Sequence, residues 1–100
     1  MTSLRLLPWP GPEGQRAYLS TDDTDGFMSR LADRLEAAQL DTGAEVLAHV
    51  AKLVADPDAS AVELRYAVMR LSECLTDALR VAESRGARLP VSGEDDGGRA

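Results

Sequence analysis

His49 is the only histidine in the chain, and it follows Glu45 by four residues, so on a helix both side chains project to one side. A carboxylate beside an imidazole is raw material for a metal site or for general-base chemistry. Di-metal carboxylate bundles, however, need Glu-x-x-His pairs and further glutamates. This spacing differs, and a second histidine is lacking. Cys74 is the only cysteine, and a His49–Cys74 dyad would need the two residues at one level on antiparallel helices. Counted from the turn near Asp58, they are offset by about 10 Å along the axis. Cys74 reads more simply as a small apolar residue in or at the edge of a core. Asp23-Thr24-Asp25-Gly26 resembles part of a calcium loop. With Gly26 at the sixth position, though, Thr21 takes the first and Ala32 the twelfth, where a bidentate Glu is needed. Capping of a helix N-terminus is the plainer use of these residues. Gly-rich phosphate loops, zinc-ligand spacings and Gly-x-Ser-x-Gly elbows are missing. The residues therefore argue against an enzyme, with no catalytic set, no cofactor and no metal expected. A small metal-dependent or thiol enzyme would rest on Glu45, His49 and Cys74 only.

Pro8-Trp9-Pro10-Gly11-Pro12 places alternate prolines around the sole tryptophan. Such a segment can present Trp9 to a partner in polyproline-like form. The plainer reading is a stiff turn whose Trp9 covers the end of the helices. Burial of the ring distinguishes the two.

The elements that must position these residues follow from length and pattern. One hundred residues suffice for one small domain with a thin stability margin. A net charge of −6 disfavours direct nucleic-acid binding, which needs a positive field. A single cysteine suits a reducing cytoplasm, the expected location. No apolar run is long enough to span a bilayer, and the first ten residues do not read as a signal peptide. The absence of Ile and Asn, and ten Arg against one Lys, follow codons rich in G and C.

Leu4, Leu6 and Leu7 form one short apolar run, and Ala17-Tyr18-Leu19-Ser20 forms another. The Pro- and Gly-dense stretch between them continues neither helix nor strand, so residues 1–20 read as a β-hairpin arm. Ser20 to Asp25 reads as a helix start, with Thr and Asp side chains capping the first turn. Leu31, Leu35, Ala38, Thr42, Val46, His49 and Leu53 keep helical phase across Gly43. This predicts one helix from about Asp25 to Ala55, with Gly43 marking a kink or a close contact. Asp56-Pro57-Asp58 stops it. Ser60 and Glu63 form a capping box, and Leu64, Val68, Leu71, Leu75, Ala78 or Leu79, and Ala82 mark one face of a second helix. Arg80, Arg85 and Arg88 complement the negative end of its dipole. Gly86 stands where a left-handed cap would be, and Pro90 prevents resumption. A short connection forces the helices antiparallel, so residues 21–89 read as a helical hairpin and the acidic residues 90–100 as a disordered tail.

The fold class is mainly α, with a short N-terminal β-hairpin and a long antiparallel helical hairpin. Two helices alone leave an incomplete core, whose third layer must come from the N-terminal hairpin, from a second copy or from both; a homodimer packed as a four-helix bundle is the economical remedy. Leu31, Leu35, Leu64, Val68, Leu71 and Leu75 are the residues expected to self-associate, and Trp9 and Tyr18 those expected to meet a protein partner.

Leu7-Pro8-Trp9, Tyr18-Leu19-Ser20, Leu64-Arg65-Tyr66 and the run from Ala78 to Leu89 resemble small accessory regulatory proteins of high-GC actinobacteria. Those proteins are encoded near helix-turn-helix regulators of development and antibiotic production. The similarity covers about residues 4 to 89, and its motifs carry no chemistry. It implies a regulatory, protein-binding role, with a transcription regulator as partner and no active-site residues. An antitoxin-like protein, whose acidic surface neutralises an adjacent toxin, is the alternative.

Overall fold

The computed structural model describes residues 3–21 and 26–89. Two strands, β1 (Ser3–Leu6) and β2 (Tyr18–Thr21), precede two 28-residue helices, α1 (Phe27–Val54) and α2 (Ala61–Arg88). The strands pair antiparallel in a two-stranded sheet, with Ser3 opposite Thr21 and Leu6 opposite Tyr18. The helices pack on each other, giving the mainly helical chain with an N-terminal β-hairpin that the sequence predicts.

Local chemistry accounts for each boundary. Past Leu6 the pairing ends with the Leu7 amide donating to the Ala17 carbonyl at 2.8 Å. The proline-rich turn then closes on its own backbone, Gly11 N–H donating to the Gln15 carbonyl at 2.7 Å. Gly14 carries it through a φ of +82°, a conformation that glycine adopts without steric cost. α1 runs unbroken through Gly43 to Val54, because the apolar phase on both sides of the glycine outweighs its poor propensity. Asp56 Oδ1 accepts from the Asp58 amide at 2.9 Å in the connecting turn. Ser60 and Glu63 complete a reciprocal capping box, with bonds of 3.1 and 2.9 Å.

Two boundaries depart from expectation. Thr21 belongs to β2, paired with Ser3, so Ser20 and Thr21 extend the strand instead of starting the helix. The cap of α1 is Gly26, which makes no side-chain capping bond; Asp22 to Asp25, and with them most of the calcium-like sequence, lie outside the described residues. At the other end Gly86 is no left-handed cap. It lies within α2, which continues to Arg88 and stops at Leu89 in extended backbone (φ −69°, ψ 142°). The following Pro90 explains this stop, since proline excludes the α conformation from the residue before it. Residues 90–100, read as a tail, also lie outside the described residues.

Burial is concentrated at one end. Leu6, Leu7, Ala32 and Val81 are buried where the β arm meets the N-terminal half of α1 and the C-terminal half of α2. Between Leu40 and Leu75 only Val50 and Ala67 are buried.

Candidate functional site

The β arm is fastened by charge. Arg5, buried on β1, donates through Nη1 to the Ser29 carbonyl at 3.0 Å and through Nη2 to Asp33 Oδ1 at 2.6 Å. The same Nη2 lies 3.4 Å from Oε2 of Glu36, whose side chain is 1 % exposed. Arg85 Nε and Arg88 Nη2 each lie 3.4 Å from the other Glu36 oxygen. Ser84, also buried, donates its hydroxyl to the Leu6 carbonyl at 2.8 Å and accepts from Arg88. A buried charge is tolerated only when paired. The cluster therefore fixes β1 against both helices at once. Arg85 and Arg88 do more than meet the helix dipole: they neutralise a carboxylate 49 and 52 residues away in sequence.

The proline-rich turn is held as well. The Pro8 carbonyl accepts from Gln39 Nε2 at 2.9 Å and from Arg80 Nη1 at 3.2 Å. Trp9 beside it is half-buried, and Tyr18 on β2 is half exposed. Arg16 bonds Glu83 of α2, and its guanidinium is held above its ordinary pKa, first by that hydrogen bond and then by one with Tyr18. The two aromatic residues expected to meet a partner thus share an arm that hydrogen bonds tie to both helices.

Among the described residues, the other half of the helical hairpin is a bare two-helix layer with two unlike faces. Leu40, Gly43, Ala44 and Leu47 of α1 and Leu71 and Leu75 of α2 line a shallow groove of about 420 Å³ on the first face. None of the groove's lining residues is charged. Val68 continues this stripe by helical spacing, as does Leu64. Leu47, Val68 and Leu75 are 62, 65 and 59 % exposed. On the second face a groove of about 270 Å³ has an apolar floor of Val46, Val50 and Leu53, and a rim that includes Glu45, His49, Tyr66 and Arg70. Leu35 lies on this side, beside Ala38 and Thr42, and helical spacing puts Leu31 with it. The six leucine and valine positions expected to self-associate are thus divided. Leu64, Val68, Leu71 and Leu75 share one face, while Leu31 and Leu35 share the opposite one.

Glu45 and His49 come together, as their spacing requires, on the second face. Cys74 sits half-buried between the helices at the level of Gly43, and it does not line the groove that holds His49. The offset foreseen from the turn keeps the imidazole and the thiol apart. Among the described residues no group of three His, Cys, Asp or Glu side chains is placed to hold a metal ion. Arg70 is engaged with Glu73, a hydrogen bond that raises its pKa above the ordinary value. No helix among the described residues is long and apolar enough to cross a membrane.

Glu36 is the residue that sequence reasoning missed. It reads as an ordinary solvent-facing glutamate, since its partners come from β1 and from the far end of α2. The one available signal was an arginine, Arg5, inside an apolar strand. No protein-family model, no curated protein and no solved structure matches the chain.

Proposed function

We propose that the protein is a non-enzymatic accessory regulator that acts by protein–protein interaction, its bare two-helix half being the contact platform. One observation carries the reading. Between Leu40 and Leu75 only Val50 and Ala67 are buried, while Leu47, Val68 and Leu75 stay largely exposed on one face. A contiguous apolar surface of this kind marks an interaction site. The charge of −6 favours a protein partner over nucleic acid, and a transcription regulator is the class of partner proposed. Self-association belongs to the same reading, because a two-helix layer needs a further layer on at least one face.

The test is affinity purification of the tagged full chain at native expression level. It is run beside a Leu47→Glu variant shown by circular dichroism to remain helical. A specific protein retained by the wild type and lost from the variant is the expected result. Recovery of ribosomal proteins and chaperones alone, in both samples, overturns the proposal.

A further inference from the structure

We infer that a second copy of this chain covers the Leu47 face, stacked antiparallel about a two-fold axis that passes Leu47 on α1 and the Leu71–Ser72 midpoint on α2. The inference deepens the reading of the two-helix half as an interaction surface and rests on it.

A two-fold interface must be complementary to itself, so residues that meet across it lie at equal distances from the axis along antiparallel helices. The residues of this face obey that condition. On α1, Leu40 and Val54 stand seven residues to either side of Leu47. On α2, Val68 and Leu75 are equidistant from the Leu71–Ser72 midpoint. Each helix would lie along its own copy, with Leu40 against Val54, Val68 against Leu75, and Leu47 against itself. Both stripes also have the alternating 4,3 spacing of knobs-into-holes packing: Leu40, Ala44, Leu47, Ala51 and Val54, and Leu64, Val68, Leu71 and Leu75.

The two centres must also be level with each other, and the fold supplies that check independently. A Cβ on Gly43 would lie 3.9 Å from Cys74 Cβ, which fixes the register of α1 against α2. Counted from that contact, Leu47 is level with Arg70, and the two centres agree to about 2 Å along the axis.

Charge completes the match. Asp41 and Lys52 flank the α1 stripe on one edge, six residues before Leu47 and five after it. Both are exposed, and neither forms an ion pair among the described residues. Lys52 is the only lysine in the protein. Antiparallel stacking brings Asp41 of each copy opposite Lys52 of the other, to within about one residue's rise. It also places the two β arms, attached at Arg80 and Ser84, at opposite ends of the assembly.

The test joins a dilution series in light scattering to cross-linking. The wild type is expected to be a dimer. Asp41→Lys and Lys52→Asp singly should each weaken it about tenfold, since two pairs per dimer become like-charged, and the double reversal should restore it to within about twofold. In a Cys74→Ala background, Leu47→Cys should form an intermolecular disulfide on oxidation, whereas Leu53→Cys, on the opposite face, should not. The charge variants change only exposed residues, so they keep the inference testable if the Cys74→Ala background does not fold. A monomer at all concentrations overturns the inference, as does a dimer indifferent to charge reversal or one cross-linked through Leu53→Cys. A monomer that still retains a specific partner protein overturns this inference but leaves the functional reading standing. A charge-sensitive dimer that retains no other protein supports the inference and counts against the accessory role.

Discussion

Nη2 of Arg5 lies 3.4 Å from Oε2 of Glu36, joining the first strand to a point one-third of the way along the first helix. Both side chains are buried, at 7 and 1 % exposure. The pair sits where β1, α1 and α2 converge, and it divides the molecule in two. On one side of it the arm supplies a third layer and the core closes. On the other, among the described residues, the helices have only each other, and their apolar faces stay open.

Glu36→Ala should therefore unfasten the arm. It leaves Arg5 with Asp33 and the Ser29 carbonyl, and it leaves Arg85 and Arg88 without their carboxylate. A loss of about 3 kcal/mol is expected, the low end for breaking a buried pair because Arg5 keeps the Asp33 carboxylate and the Ser29 carbonyl. Chemical denaturation measures it. A loss below about 0.5 kcal/mol would place the carboxylate in the class of ordinary surface substitutions.

Ser60→Ala removes one half of the capping box that starts α2. The Glu63 amide loses its acceptor, and a cost of about 1 kcal/mol is expected in a thermal melt. Glu63→Ala should cost less. The Ser60 amide that it frees is exposed and can bond water instead.

These two sites mark what the sequence could and could not disclose. Ser60 and Glu63 are three residues apart, so their bond is local and the motif is legible without a structure. So are the proline-rich turn, the stop at Pro57 and the phase that carries α1 through Gly43. Arg5 and Glu36 are 31 residues apart, and Glu36 and Arg88 are 52. No local pattern pairs them, and a charged residue gives no sign in sequence that it is buried. The same limit divided the apolar stripes. Periodicity told which residues of one helix share a side, but the rotation of α1 against α2 decided that Leu35 and Leu71 face opposite ways. That rotation shows in the close approach of Gly43 to Cys74 and in the burial of Val50 and Ala67, which are tertiary facts.

Gly86 offers a sharp test of where α2 ends. At positive φ an alanine is strained where a glycine is not, so replacement by Ala would be destabilising. Gly86 instead lies in the helix, and a Cβ there would meet nothing within 4 Å. Gly86→Ala should stabilise the protein by less than about 1 kcal/mol, the propensity difference in a full helix interior, because Gly86 stands in the last turn of α2. A lower melting temperature would show that the chain leaves the helix before Arg88.

Gly43 is the more informative glycine, because its surroundings distinguish a small side chain from a large one. It lies mid-helix in α1 and faces Cys74 across the interface, where an added Cβ would sit 3.9 Å from the Cys74 Cβ. That is an ordinary van der Waals distance, so Gly43→Ala gains helix propensity without a clash and should raise stability by up to about 1 kcal/mol. Gly43→Val adds two methyl groups where the helices approach. Neighbours must shift or the helices must separate, and overpacking of that kind costs about 1–3 kcal/mol. Opposite signs for the two substitutions, read from the same denaturation curves, are the expected outcome. Stabilisation by both would mean that the helices are farther apart at this level than the Gly43–Cys74 approach requires, and the register that levels Leu47 with Arg70 would lose its anchor.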